Sequence, residues 1–299
     1  MIQTNTNDIS KLEIWILAAR PKTLLAAFVP VIIGSSIAFH DNKFNWLAFV
    51  FALISAILIQ AGTNFVNDLY DFLHGTDKKE RLGPPRALAS GFLSVREMKY
   101  GIVAIFTAAF LFGLYLVHLG GLPILAIGIL SIIAGILYTA GPFPFAYNSL
   151  GDIFVFLFFG FIGTAGTYYV HTQQLTYLVF WASVPVGALI TNILVVNNYR
   201  DRNEDRINGK NTLAVKFGER FTRFQYFSFM ILSYLIPMIV YFTFKKSLLV
   251  FLPMITIPLS VKLIKMIYTL EGRELNKTLE LTAKLSLIYG LLFAIGILL

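Results

Sequence analysis

The chain of 299 residues contains no cysteine. A disulfide framework, a thiolate metal site and a cysteine nucleophile are thereby excluded. Charge is scarce too. Asp, Glu, Lys and Arg make up 13% of the chain, roughly half the share of a soluble domain, which excludes an ordinary soluble enzyme and a disordered chain. The four histidines, His40, His74, His118 and His171, share no metal-ligand spacing. Apolar residues, in contrast, reach 57%, with a mean hydropathy of +0.73. They come in long unbroken runs rather than in alternation, which excludes an outer-membrane barrel. The polar stretch 1–22 lacks a short apolar core with a small-residue cleavage site, so it does not read as a cleaved signal peptide.

A spanning helix needs about 20 mostly apolar residues. Nine segments qualify: 23–39, 46–67, 100–118, 122–139, 153–170, 178–198, 225–244, 248–268 and 283–299. The expected fold is therefore all-α, a polytopic bundle of about nine transmembrane helices forming one membrane domain over 1–299. The connections 68–99 and 199–224 are long and charged; the others are short. Assigning loops alternately to two sides puts most Lys and Arg with the N-terminus and both long loops. Only Lys43, Lys245 and Lys246 fall on the other side. That bias predicts a cytoplasmic N-terminus and cytoplasmic long loops, as in a bacterial inner membrane. It also accounts for the net charge of +8 without a nucleic-acid partner.

The acids cluster on that same side. One group follows the second span, in Asn64-Phe-Val-Asn67-Asp68-Leu-Tyr-Asp71 and on to Asp77; the other follows the sixth, in Asn197-Asn198-Tyr-Arg200-Asp201 and on to Asp205. In helical register Gln60, Asn64, Asn67 and Asp71 share a face, as do Thr191, Asn198, Asp201 and Asp205. A polar stripe inside an apolar span is costly and normally faces a bundle interior or an aqueous cavity. Loop charge alone explains a single acidic cluster. It does not explain two matching clusters, each continued as a stripe into a span. Oxygen side chains one turn apart on two facing helices suit Mg²⁺, which takes one or two carboxylates and fills its shell with water and phosphate. The nearby Lys78, Arg81, Arg86, Arg200, Arg202 and Lys210 supply cations for phosphate oxygens. A transporter would carry its charges near the midplane on broken helices, whereas these acids sit at helix ends.

Asn67-Asp68-x-x-Asp71 and Asp201-x-x-x-Asp205 resemble the two signatures of the UbiA superfamily of intramembrane prenyltransferases. Within it, four stretches are most similar to the branch that prenylates 1,4-dihydroxy-2-naphthoate in menaquinone synthesis. They are Ala19-Arg20-Pro21-Lys22-Thr23-Leu24, the segment from Arg81 to Gly91, the segment from Leu137 to Tyr147, and Asn197 to Asp201. Ala140 departs from the Gly of many relatives and Asp152 from a common Glu. The resemblance implies helices around a central cavity, a polyprenyl diphosphate donor, an aromatic acid acceptor and Mg²⁺ held by Asn67, Asp68, Asp71, Asp201 and Asp205. It implies catalytic work for Asn67, Asp71, Asp201 and Asp205. Arg20, Lys22, Lys78, Arg81, Arg86, Tyr138, Tyr147, Asn198 and Lys210 are then the expected substrate contacts, with Tyr147 facing the reacting carbon. The neighbouring branch, which prenylates 4-hydroxybenzoate, carries the same acidic signatures.

The charge bias generates a topology test. Reporters fused after Asp77 and after Lys210 are expected on the cytoplasmic side, and one fused after Lys245 on the opposite side. Disagreement between the first two would separate the acidic motifs across the membrane and remove any shared site.

Overall fold

The computed structural model describes residues 10–76 and 82–299. Among them there is no strand, only an isolated bridge between Asn148 and Asn211. A short helix, α1 (Lys11–Ala19), opens with a capping box in which Ser10 and Glu13 satisfy each other's backbone N–H. It ends at Arg20, whose left-handed backbone (φ 55°) turns the chain into α2 (Pro21–His40). Pro21 occupies the first turn of α2, where its missing N–H costs nothing. Next come α3 (Trp46–Leu73) and α4 (Val95–Leu137). The span Gly151–Thr172 consists of α5 (Gly151–Val155), a π-helical stretch (Phe156–Gly163) and α6 (Thr164–Thr172). Then follow α7 (Tyr177–Ile207), α8 (Leu213–Phe244), α9 (Ile257–Thr269) and α10 (Leu275–Leu298).

Among the described residues eight helical stretches are long and apolar enough to cross a bilayer, one of them formed by a 3-10 stretch (Leu248–Thr256) running into α9. The eight count α4 once, although it holds both the expected segment 100–118 and most of 122–139. At 43 residues a straight α4 would be about 65 Å long, twice the hydrocarbon thickness. Gly121 breaks it, at φ 69° and ψ −158°. Only glycine adopts that conformation freely, and the two arms of α4 are thus separate crossings.

The helices also run past several expected span ends. The second span extends from Asn67 to Leu73 and the sixth from Asn198 to Ile207. With 28 and 31 residues, α3 and α7 are about 42 and 46 Å long, against a hydrocarbon core of about 30 Å. Their surplus turns carry the acidic motifs.

At the centre is α7, most of whose spanning window is buried. The π-helical stretch packs on it through glycine. A Cβ on Gly160 would lie 3.0 Å from the Gly187 Cα and 3.0 Å from the Ser183 carbonyl oxygen. Such small-residue contacts let helices approach where the bilayer supplies no hydrophobic drive. Gly163 abuts Pro30 in the same way, joining this span to α2. We therefore expect Gly160→Val to destabilise the bundle by about 1–3 kcal/mol, the cost of an overpacked contact. Thermal unfolding of the purified protein in detergent measures it; an unchanged midpoint would contradict the close approach.

Candidate functional site

The cavity begins at a corner made by α1, α2 and α3. Asn64 of α3 donates from Nδ2 to the Ala19 carbonyl (2.8 Å) and to the Thr23 hydroxyl (3.1 Å). Arg20 donates back to the Asn64 carbonyl at 3.4 Å. This corner fixes Arg20 on the wall of a cavity of about 930 Å³. Further along α3, Asn67 and Asp71 line the same cavity. The Thr139 hydroxyl donates to Asn67 Oδ1 at 2.9 Å, and the Tyr147 hydroxyl donates to Asp71 Oδ1 at 2.8 Å.

Asp68 turns the other way. It is buried, and its carboxylate accepts the backbone N–H of Ala87 at 3.0 Å and of Leu88 at 3.5 Å. The carboxylate seats the turn 86–91, and the segment entering it places Pro84, Pro85 and Arg86 at the cavity. Through that turn Asp68 shapes the wall beside Arg86.

In the second motif Asn197, Asn198 and Arg200 line the cavity, and Asp201 and Asp205 are buried next to them. Arg200 clasps Asp201 with two parallel bonds, Nε to Oδ1 and Nη2 to Oδ2, both 2.6 Å. It also donates to Asn197 Oδ1 (2.9 Å) and to Asn276 Oδ1 (2.7 Å), while Asn276 donates to the Leu82 carbonyl at 3.0 Å. Such bidentate pairs are the strong, geometrically specific kind. Asp205 lies within electrostatic reach of Lys210, Asp201 and Asp71. The charges of Asp71, Arg20 and Asp205 all reach Tyr138, a cavity residue. The two motifs, about 130 residues apart in sequence, meet over one mouth.

Most of the basic residues expected at the site do border it: Arg20, Lys22, Arg86 and Lys210 all line the cavity. Lys22 pairs with Glu280 at 2.8 Å, an exposed contact. Lys78 and Arg81 lie outside the described residues. Tyr147 does not line the cavity. Its hydroxyl is turned to Asp71 and its ring lies under the Lys210 ammonium, 5.2 Å from the centroid. Of the aromatic pair expected to face substrate, Tyr138 is the one on the wall. Thr191, expected on the polar face, is buried in helix packing.

Sequence reasoning passed over the start of α10. Arg273, Asn276, Lys277 and Glu280 all line the cavity. The signal was present in the charged run Glu271-Gly-Arg-Glu-Leu-Asn-Lys277, on the side of the long loops. Without an acid motif beside it, the run read as ordinary loop charge.

Away from this mouth the cavity is apolar. It continues between α2, α3 and the two arms of α4, past Ala27, Val31, Ile59, Gly113 and Gly128. Phe110 and Gly113 line it, while Leu111 between them is 59% exposed on the outer face of the helix. One helix thickness therefore separates this chamber from the lipid. A mouth of oxygen donors and cations joined to an apolar chamber can hold an amphiphile with a polyanionic head. Among the described residues no three His, Cys, Asp or Glu side chains form a metal-ligand group. The donors at the mouth are instead hard oxygens, one or two per motif, as Mg²⁺ uses together with phosphate and water.

Comparison with known proteins follows this geometry. Residues 27–288 match the model of the UbiA prenyltransferase family. A 1,4-dihydroxy-2-naphthoate octaprenyltransferase of Escherichia coli is 36% identical over 97% of this chain and 96% of its own length. One of Haemophilus influenzae is 35% identical, over 96% of each. Among solved structures, a UbiA homologue from Aeropyrum pernix superposes with a TM-score of 0.70 at 13% identity, over 93% of this chain and 98% of its own. A UbiA homologue from Archaeoglobus fulgidus bound to DMAPP and Mg²⁺ gives 0.64 at 14%, over 94% and 99%.

The Arg200 clasp has a measurable consequence. Arg200→Met removes all four of these hydrogen bonds at once. Loss of one partner from a buried ion pair costs about 3–5 kcal/mol. We expect a lowered unfolding midpoint in detergent, and partial recovery when Asp201→Leu is added. A single variant as stable as the parent would mean that the clasp is not structural.

Proposed function

The chain belongs to the UbiA prenyltransferase family, and from that premise we propose that it transfers a polyprenyl group from polyprenyl diphosphate to 1,4-dihydroxy-2-naphthoate. Diphosphate and CO₂ are released and demethylmenaquinol, the reduced form of demethylmenaquinone, is formed. The observation that carries the reading is the cavity itself, in which an acidic and basic mouth opens into an apolar chamber. The near-full-length similarity to octaprenyltransferases of this acceptor supports its identity. The protein is integral to the membrane. We place it in a bacterial inner membrane with the mouth on the cytoplasmic side, because the basic loops lie there.

The residues divide the work by chemistry. Asp71 and Asn67 on one wall and the Asp201–Asp205 turn opposite are the groups that would hold Mg²⁺. An ion held there would supply the charge that offsets the diphosphate as it leaves. Arg20, Arg86 and Lys210 face the same space and bind the non-bridging oxygens as cations do. Asn198 adds an amide to that wall. Asp68 keeps Arg86 in place through the turn it caps, and Arg200 keeps Asp201 and Asn197 in register. The apolar chamber takes the prenyl chain and excludes water from the allylic carbon as the C–O bond breaks. The Tyr138 ring lies at the join of mouth and chamber, where its face can stabilise positive charge on that carbon, an effect worth about 2 kcal/mol when desolvated. The electron-rich acceptor ring then attacks. With attack at the carboxyl-bearing carbon, the new C–C bond forms there, and the carboxylate leaves as CO₂, returning its bonding pair to the ring.

Membranes containing the protein are expected to convert 1,4-dihydroxy-2-naphthoate and a polyprenyl diphosphate to demethylmenaquinol, with activity lost in EDTA and restored by Mg²⁺. A label on the carboxyl carbon should appear in CO₂; label retained in the product would overturn the decarboxylative route. Asp71→Ala should abolish turnover with normal insertion, since Asp71 lies in the surplus turns of α3. Turnover of 4-hydroxybenzoate alone would move the protein to the neighbouring branch.

A further inference from the structure

We propose that Tyr147 is a positioning residue that sets the Asp71 carboxylate and the Lys210 ammonium relative to each other, coupling the two acidic motifs without touching substrate. Three segments meet at this side chain. Its hydroxyl donates to Asp71 Oδ1 at 2.8 Å and lies 3.1 Å from the Thr76 hydroxyl, which is itself 2.9 Å from the Asp71 carbonyl oxygen. An ionised carboxylate only accepts hydrogen bonds, so the direction of the Tyr147 bond is fixed. Its ring carries the Lys210 ammonium at 5.2 Å, a cation–π contact. Its carbonyl accepts the Asn211 N–H at 3.0 Å. Next to it Asn148 bridges to Asn211, and the Ser149 hydroxyl donates to the Asn211 carbonyl at 2.6 Å. The loop after α4 is in this way fastened to the loop after α7.

Each arm of the node ends on a different motif. The hydroxyl leaves Asp71 one committed oxygen and one oxygen for an incoming cation. The ring holds Lys210, whose charge acts on Asp205. Tyr147 is not on the cavity lining, which separates this role from contact with the reacting carbon.

The inference rests on the magnesium–diphosphate reading of the mouth. Tyr147→Phe keeps the ring and removes the hydroxyl; Tyr147→Leu removes both arms; Thr76→Val removes the second hydroxyl and keeps Tyr147. In Tyr147→Phe, the Mg²⁺ concentration for half-maximal turnover and the KM for prenyl diphosphate should rise roughly tenfold, the size of one hydrogen bond to a charged group. The acceptor KM should not change, and kcat should return at saturating Mg²⁺. Thr76→Val should shift the same parameters less. Tyr147→Leu should add a loss that excess Mg²⁺ does not restore. Retention of labelled prenyl diphosphate by the detergent-purified protein at graded Mg²⁺, with acceptor omitted, should show the same shifts without turnover. Wild-type Mg²⁺ dependence in both hydroxyl variants would overturn the proposal, as would a defect confined to kcat or to the acceptor KM, which would put the ring against substrate. Donor binding by the wild type that is indifferent to EDTA would instead overturn the magnesium reading itself.

Discussion

A charge cannot be left in hydrocarbon without a partner or water, and the placement of this site follows from that constraint. Two helices, α3 and α7, are longer than the bilayer is thick. Their surplus turns rise beyond it on one face, and the acids occupy those turns. Below them the same helix faces carry amides, such as Asn64 and Asn67 on α3 and Asn197 and Asn198 on α7. Amides can be satisfied by carbonyls and hydroxyls, as Asn64 is at the α1–α2 corner. Polarity therefore grades from apolar through amide to carboxylate along each helix, and the cavity inherits that gradient.

The gradient suits a substrate that changes character along its length. A polyprenyl diphosphate is a polyanion joined to a hydrocarbon chain. Only a cavity whose mouth is charged and whose interior is apolar satisfies both parts at once. The break at Gly121 contributes directly. By folding α4 into two antiparallel arms it supplies two walls of the chamber, and Gly113 and Gly128, one on each arm, leave open space at their Cβ positions. The close approach at Gly160 and Gly187 does the opposite. It draws the Gly151–Thr172 span tightly onto α7, fixing the wall that carries the second acidic motif.

Periodicity and hydropathy exposed most of this fold, because a span must be long and apolar and a loop's basic residues report its side. The two arms of α4 were legible as the separate segments 100–118 and 122–139, but the turn between them was not, since it depends on one glycine at positive φ and hydropathy is blind to φ. The acidic motifs stood out because carboxylates are rare in this chain. What each carboxylate does was hidden. Asp68 and Asp71 are three residues apart on a helix and read alike, yet one caps a turn 19 residues away and the other faces the cavity. Asn276 and Tyr147 were equally opaque: their partners, Arg200 and Asp71, are each 76 residues distant in sequence.

The division of the acids has a physical logic that repeats in both motifs. In each, the acid nearer the hydrocarbon is tied: Asp68 to the amides of Ala87 and Leu88, Asp201 to the guanidinium of Arg200. The acid about one turn farther out, Asp71 or Asp205, is the one whose charge reaches across to the other motif. A carboxylate close to the low-dielectric interior needs its hydrogen bonds supplied by protein. One farther out can share its oxygens with water, a cation or a positioning hydroxyl. Two helices that each place an anchored acid below an outward one thus obtain rigidity and reactivity from the same residue type. The anchored pair holds Arg86 and Asn197 in the wall, and the outer pair carries the charge that couples the two motifs.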